Sequence, residues 1–159
     1  MNRSWPLPTA LAALAAYCLA VIGGTITRLD PWYRGLQQPE WAPPDAAFGV
    51  IWTSVLALSV LAAITAWRAA PTRHEASNIV GLFAANGFLG ILWSLLFFHA
   101  ERPDWAMGEL VLFWLSIVAL VAACGRVSRP AAALLLPYLG WVTFAGVLNF
   151  EIVARNGPF

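Results

Sequence analysis

The sequence predicts an all-α integral membrane protein, built as a bundle of five transmembrane helices. Two observations carry this prediction. Of the 159 residues, 60% are hydrophobic and only 11% are charged, whereas soluble domains average about 25% charged residues. In addition, five segments reach the roughly 20 mostly apolar residues that a bilayer-spanning helix needs. These segments are residues 7–27, 47–68, 78–99, 105–124 and 131–153.

The first segment resembles a secretory signal, because Arg3 precedes an alanine-rich apolar run. We interpret it as a helix for two reasons. The bulky Tyr17 before Cys18 spoils a lipoprotein cleavage box, and the apolar run continues to Ile26, beyond the usual length of a signal core.

The remaining segments follow one another with short polar gaps, and the charged residues fall almost wholly in those gaps. Only Glu109 and Glu151 intrude, each within a turn or two of a predicted helix end. Five helices leave no room for a second domain, so residues 1–159 are predicted to form one membrane domain. Five of the nine arginines lie on the side of the N-terminus and four on the other. The orientation therefore stays open.

Composition excludes several functional classes. The net charge is +1 and all nine basic residues are arginines, so no basic stripe or tail is available for nucleic acid. Cys18 and Cys124 lie singly in apolar runs, which is typical of buried cysteines rather than metal ligands. His74 and His99 lie at or beyond the ends of apolar runs, which argues against a haem held between helical histidines. We predict no metal site, no required cofactor and no nucleic-acid partner.

Seven of the tryptophans fall into two groups according to their distance from the predicted helix ends. Three lie at predicted helix ends, where an interfacial aromatic belt explains them: Trp5, Trp67 and Trp105. Four lie at least one turn further in: Trp52, Trp93, Trp114 and Trp141. A buried indole N–H needs a hydrogen-bond partner. Two interpretations stay open for the deeper set, namely ordinary core packing and a cavity with aromatic walls.

The longest gap, residues 28–46, is predicted to be a lid loop. It contains four prolines and four large apolar residues: Pro31, Pro39, Pro43, Pro44, Trp32, Tyr33, Leu36 and Trp41. Proline restricts the backbone and lowers the entropy lost when a loop orders. A loop this rich in aromatic residues should fold onto the helix ends, either as a lid over a ligand or as an interfacial plug with nothing beneath it.

A resemblance to a known family rests on four strings. They are WYRGLQQPEWAPP (Trp32 to Pro44), FGVIW (Phe48 to Trp52), WSLLFF (Trp93 to Phe98) and PYLGWVTFAGVLNFE (Pro137 to Glu151). These strings, and the order of the apolar segments over essentially the whole chain, resemble the TspO/MBR family of translocator proteins and tryptophan-rich sensory proteins. The resemblance implies a multi-pass protein of the bacterial cell envelope, homodimeric, with a tetrapyrrole pocket under the lid loop.

The resemblance also implies which residues form the pocket. By motif, the ligand-binding residues would be Trp32, Tyr33, Trp41, Trp52, Asn86, Trp93, Phe97, Trp141, Ala145 and Asn149. Trp52 and Trp141 match the tryptophans associated with porphyrin degradation in the family, which makes them the candidate catalytic residues. The expected ligand is protoporphyrin IX or another flat aromatic molecule.

The chemistry of a porphyrin agrees with this set. The ligand is a flat π-surface with two carboxylates, so it needs aromatic walls and a polar or cationic mouth. Arg28 and Arg34 flank the lid loop and could meet the carboxylates, although loop arginines near a membrane are more often solvated. One position departs from the family pattern: Gly90 stands where an asparagine is common, and Asn86, one turn earlier on the same face, could substitute.

Three functions stay open at this point. The first is a porphyrin sensor, carrier or scavenger in the bilayer, the second is a light- and oxygen-dependent porphyrin-degrading enzyme, and the third is a small-molecule transporter. No internal repeat is visible and no ionisable residue is predicted near the midplane, which disfavours proton-coupled transport. The small residues Gly81 and Ala85 on the third segment predict a homodimer through that helix.

Overall fold

The computed structural model describes Leu14, Cys18, Val21, residues 23–27 and residues 29–159. All regular elements within these residues are helices. They are α1 (Pro31–Gly35), α2 (Asp45–Ala69), α3 (Arg73–Ser94, continued by a π-helical turn at Leu95–His99), α4 (Pro103–Val127) and α5 (Arg129–Asn156).

Four of the described helices are long and apolar enough to cross a membrane: α2, α3 with its π-helical turn, α4 and α5. They confirm the second to fifth predicted segments and the prediction of a multi-pass membrane protein. The first predicted segment, 7–27, lies largely outside the described residues, although Leu14, Cys18, Val21 and residues 23–26 are helical. The fifth member of the bundle therefore stays a prediction.

Two of the helices, α3 and α5, begin earlier than hydropathy predicts because polar side chains cap them. The third helix was predicted from residue 78 and begins at Arg73. Its start is a capping box, in which the Glu75 amide donates to Thr72 Oγ1 (3.1 Å) and the Thr72 amide donates to Glu75 Oε2 (3.2 Å). Similarly, α5 begins after Ser128, whose Oγ accepts from the Ala131 amide at 3.4 Å.

The core lies mainly between α4 and α5. The large side chains Phe113, Ile117 and Leu120 of α4 pack there with Leu135 and Val142 of α5, all at most 2% exposed. By contrast, α2 and α3 contribute mostly small residues to the same core: Ala62, Ala66, Ala76 and Ser59, with the larger Val55 and Ile79. The α4–α5 pair is therefore tightly packed, and the residues that α2 and α3 bury against it are mostly small.

The end of α3 widens into a π-helical turn. The Ala100 amide donates to the Leu95 carbonyl at 2.8 Å, an i→i+5 bond. Such turns are rare and change which side chains share a helix face. Here the turn brings Phe97 and Phe98, adjacent in sequence, into one aromatic cluster with ring centroids 4.7 Å apart.

The predicted lid loop contains a short helix. Asp30 caps α1 by accepting from the Tyr33 amide at 3.1 Å, and Pro31 occupies its first turn. After α1 the chain is held to the end of α5 by Asn156. Its Oδ1 accepts from the Gln37 amide at 2.7 Å, and its Nδ2 donates to the Gln37 carbonyl at 3.0 Å. The lid segment is thus fixed to the bundle, as predicted, but it is partly helical.

Candidate functional site

A cavity of about 1200 Å³ lies between α2, α3 and α5. It begins at Tyr33 and Asp45, which we call the lid end, and continues along α2 to Trp67, which we call the far end. The described residues Gly23, Gly24 and Thr27 of the first segment line one side. Ligand pockets usually measure about 300–1,000 Å³, so this cavity is large for a chain of its size.

Four residues near the lid end form what we call the aromatic wall: Trp52, Trp93, Phe97 and Trp141. Trp52 and Trp141 meet edge to face, with ring centroids 6.3 Å apart and an angle of 87° between their planes. Trp93 and Phe97 are stacked at 5.2 Å and 28°. These rings come from α2, α3 and α5, so the tertiary fold is what brings them together.

Further rings hold the aromatic wall in place. Trp141 is stacked on Phe144 at 5.4 Å and is met edge-on by Phe48 at 5.5 Å. Trp52 meets the ring of Tyr138 edge-on at 6.3 Å. Edge-to-face and stacked pairs at these separations are favourable geometries for aromatic rings. The wall is therefore preorganised rather than free to collapse into the cavity.

Two indole N–H groups on the wall have no hydrogen-bond acceptor among the residues that the structure describes. They are Nε1 of Trp93 and Nε1 of Trp141, both buried. A buried donor without a partner costs about 1–3 kcal/mol, and native structures contain few of them. Each of the two indoles is therefore, within the described part of the chain, an unpaired donor on a residue of the aromatic wall.

The amides near the cavity are already paired within the protein. Asn86 Oδ1 accepts from the Tyr138 hydroxyl at 3.0 Å, and its Nδ2 donates to Ser116 Oγ at 2.8 Å. With its amide oriented to satisfy both atoms, Asn149 donates to the Pro103 carbonyl (3.2 Å) and accepts from the Met107 amide (3.3 Å). Asn86 thus joins α3 to α5, and Asn149 joins α5 to the start of α4.

The lid end is acidic. The Tyr33 hydroxyl lies 3.5 Å from Asp45 Oδ1, and burial raises the pKa of Tyr33, so its phenol keeps its proton at neutral pH. Arg34, expected to meet a ligand carboxylate, donates through Nε to the Leu29 carbonyl at 3.0 Å and does not line the cavity. Arg28 lies outside the described residues. Among the described residues, no cluster of metal-ligating side chains is present.

The structure places eight of the ten predicted ligand-binding residues on the cavity surface: Tyr33, Trp52, Asn86, Trp93, Phe97, Trp141, Ala145 and Asn149. The two others do not reach it. Trp32 packs edge-on against Phe97 at 6.2 Å. Trp41 is 47% exposed and rests on Phe144 at 5.5 Å. Trp32 therefore supports the wall directly, and Trp41 supports it through Phe144, which stacks on Trp141.

Sequence reasoning missed two features of the site. Tyr138 lines the cavity and links Asn86 to Trp52, and its position three residues before Trp141 on the same helix face could have revealed it. Gly90 allows Phe113 to approach closely, because an added Cβ would lie 3.2 Å from Phe113 Cζ. The family asparagine at this position would therefore displace Phe113.

Two other residues discussed from the sequence do not line the cavity. Trp114, one of the four deeper tryptophans, lies on the outer side of the α4–α5 pair and donates through Nε1 to Thr143 Oγ1 at 2.8 Å. Glu109 is only 8% exposed, and neither carboxylate oxygen has a partner among the described residues. It lies about 9 Å from the start of α4, and it does not line the cavity.

Comparison with known proteins identifies the family. The family model described as "TspO/MBR family" matches residues 10–155, nearly the whole chain. The chain belongs to the TspO/MBR family. The resemblance read from the four strings is thereby confirmed.

Individual relatives agree with this TspO/MBR assignment. The chain is 39% identical to the tryptophan-rich protein TspO of Chlorobaculum tepidum, over 92% of this chain and 95% of that protein. It is 33% identical to the tryptophan-rich sensory protein of Cereibacter sphaeroides, over 98% and 95%. It is also 35% identical to the translocator protein of Bos taurus, over 79% and 75%.

Proposed function

We propose that this TspO/MBR protein binds tetrapyrroles inside the bilayer, with the macrocycle seated against the aromatic wall, and acts as a sensor, carrier or scavenger of them. The observation that carries the proposal is the wall itself. Its rings Trp52, Trp93 and Trp141 come from three helices and face one cavity. Two of these indoles present buried N–H groups without an acceptor among the described residues.

The site suits a flat, polarisable ligand whose hydrogen-bond acceptors, the carboxyl oxygens, lie at the edge of the ring. Stacked and edge-to-face aromatic contacts are worth about 0.5–1.5 kcal/mol each beyond the area they bury. Such contacts discriminate in favour of a flat ring even in a membrane, where burying apolar area by itself gives little advantage. The unpaired indole donors add an orientation preference, because an acceptor at the ring edge satisfies them.

Titration with protoporphyrin IX, followed by quenching of tryptophan fluorescence in lipid nanodiscs, tests this proposal. Ala145→Trp fills the cavity beside Trp141 and should abolish saturable quenching. Val147→Trp places the same side chain two residues away, at a 52% exposed position on the outer face of α5, and should bind as the wild type does. Undiminished binding by Ala145→Trp would contradict the proposal. Ala145→Leu is the milder substitute should the first variant fail to fold.

The contact between Trp52 and Trp141 supports a second candidate function, light-dependent breakdown of the bound porphyrin. Dioxygen would be the co-substrate. It adds across one methine double bond, the carbon–carbon bond breaks, and both oxygen atoms remain in the product as two carbonyl groups. Trp52 and Trp141, 6.3 Å apart, would hold the photoexcited ring and exchange electrons with it.

Illumination of the purified protein with protoporphyrin IX in air distinguishes breakdown from binding alone. Trp52→Phe and Trp141→Phe should each slow the loss of porphyrin absorbance, and the product should be heavier than the substrate by one dioxygen. Trp105→Phe, at a 56% exposed position, is the control. Wild-type rates in both cavity variants would contradict a role of the indoles in the reaction.

A further inference from the structure

The cavity is much longer than the aromatic wall. From Trp52, at the wall, α2 continues along the cavity to Trp67, a distance of about 22 Å along the helix axis. A tetrapyrrole ring centred on the wall does not extend that far. The far end of the cavity therefore lies beyond the reach of the macrocycle.

The far end has a different chemistry from the lid end. It is lined by Val60, Ala63, Ile64 and Trp67 of α2 and by Ile79, Val80 and Phe83 of α3. The hydroxyl of Ser59 also lies there, but it donates to the Val55 carbonyl at 2.8 Å. Aliphatic side chains outnumber the two aromatic ones on this surface, which suits a flexible hydrocarbon chain.

The charge of the cavity surface also restricts the ligand. Among the described residues that line the cavity, none is cationic, and the carboxylate is that of Asp45 at the lid end. Asp45 lies in the first turn of α2, at the lid end of the cavity. A ligand carboxylate brought to this mouth would be repelled, whereas an ester would not.

Two indole N–H groups of the aromatic wall lack a hydrogen-bond acceptor among the described residues. They are the buried Nε1 of Trp93 and Nε1 of Trp141. A carbonyl oxygen accepts such bonds without bringing a charge into the bilayer. The unpaired indole donors, the carboxylate of Asp45 and the largely aliphatic far end therefore point to the same kind of molecule.

We infer that the preferred ligand is a neutral tetrapyrrole whose carboxyl groups are esterified, one of them to a long hydrocarbon alcohol that occupies the far end. This inference rests on the proposed function and specifies its substrate class. A chain attached to the bound ring fills the far end as an intramolecular event. A separate lipid chain would have to be ordered there on its own.

The test compares pheophytin a with pheophorbide a, used here as its methyl ester. Both are neutral, carry the same ring and differ only in the alcohol of the ester, phytol or methanol. Affinities are measured in nanodiscs by tryptophan quenching, with empty nanodiscs correcting for partition into lipid. Because the chain leaves one apolar environment for another, the gain is modest, and we expect pheophytin a to bind about tenfold more tightly.

Ala63→Phe tests where the chain lies. Ala63 lines the cavity about 16 Å from Trp52 along α2, so a phenyl group there should remove the preference for pheophytin a and spare pheophorbide a. Ala57→Phe is the matched control, because Ala57 is exposed on the same helix and does not line the cavity. Should Ala63→Phe not fold, Ala63→Leu takes its place with a smaller expected loss.

A second comparison tests the charge argument. Protoporphyrin IX dimethyl ester should bind more tightly than protoporphyrin IX. Asp45→Asn should raise the affinity of the diacid more than that of the ester, since only the diacid is repelled.

Distinct results would overturn the inference. Equal affinities for pheophorbide a and pheophytin a, or a preference that survives Ala63→Phe, would mean that lipid rather than the ligand fills the far end. Tighter binding of the diacid than of its ester would contradict the charge argument. In those cases the tailless ring still binds at the aromatic wall and the proposed function stands. Failure of every tetrapyrrole to bind would remove the proposed function and this inference with it.

Discussion

The α4–α5 pair and the α2–α3 pair are equally apolar, yet they bury different side chains. The α4–α5 pair buries large groups such as Phe113, Ile117 and Leu135 almost completely. Most of what α2 and α3 bury is small, for example Ala62 and Ala76, while their tryptophans turn to the cavity. One pair is packed for stability, and the other leaves the volume that a ligand needs.

This difference explains how the cavity stays open. Trp141 lies on α5, in the tightly packed pair, and contacts Phe48 and Phe144. Trp52 and Trp93 lie on α2 and α3, the less tightly packed pair. We expect the α4–α5 pair to keep its shape when a ligand binds and the α2–α3 pair to adjust.

The largest expected effect is on folding stability. Leu120→Ala removes a fully buried side chain from the core between α4 and α5. The loss should lower the free energy of unfolding by about 2–5 kcal/mol and appear as a lower thermal midpoint in detergent. Leu56→Ala removes the same atoms from the cavity surface of α2 and should cost clearly less. Leu115→Ala, 50% exposed on α4, is the control. Equal losses for Leu120 and Leu56 would contradict the comparison.

The next effect concerns association of two chains. Gly81 and Ala85 are exposed on α3, and a Cβ added at Gly81 meets no atom within 4 Å. Leucine at both positions should therefore be tolerated by the fold and shift the detergent-solubilised protein toward monomer, because small residues permit close helix contact. The matched control places leucine at the exposed Ala133 and Gly140 of α5. A dimer that survives the α3 change would point to another helix.

A smaller effect on folding stability is expected at the hydrogen bond that joins the α2–α3 pair to the α4–α5 pair. Tyr138→Phe removes the hydroxyl that donates to Asn86 Oδ1 and should destabilise the protein by about 1 kcal/mol. The thermal midpoint measures the loss. Thr143→Val, which removes the acceptor of the Trp114 bond on the outer face, is the comparison. A neutral Tyr138→Phe would show that packing alone holds α3 to α5.

The smallest effect on stability is expected for Ala145→Thr. Ala145 is half-buried on the cavity surface, one turn from both Trp141 and Asn149. The new hydroxyl would bond to the Trp141 carbonyl, as Thr143 already does to Leu139 at 2.8 Å, and would shift the Trp141 ring slightly. We expect protoporphyrin affinity to fall about threefold, under 1 kcal/mol, at a near-normal thermal midpoint. A large stability loss with unchanged affinity would assign Ala145 to packing alone.

Much of this architecture is visible in the sequence, because the bilayer demands apolar helices of fixed length. Hydropathy therefore located the four described spanning helices. It misplaced the start of α3 because Thr72 and Glu75, which cap the helix, are polar. It also could not show the π-helical turn that brings Phe97 and Phe98 together, since that turn depends on packing around the end of α3.

Sequence spacing indicates which residues share a face where a single helix supplies all of them. Trp141, Ala145 and Asn149 recur at four-residue intervals and do line the cavity. Depth along a helix, by contrast, says nothing about which side a residue faces. Trp114 is as deep as the others yet lies on the outer face. The largely aliphatic far end of the cavity arises from the spacing of whole helices, which no motif encodes.

The most direct test of the central claim is ¹⁹F NMR of protein labelled with 5-fluorotryptophan, titrated with protoporphyrin IX. Single Trp→Phe variants assign the resonances. A macrocycle seated on the aromatic wall should shift the signals of Trp52, Trp93 and Trp141 strongly through its ring current. The signals of Trp105 and Trp114, on outward-facing surfaces, should stay in place. Shifts confined to those outer tryptophans would contradict binding in the cavity.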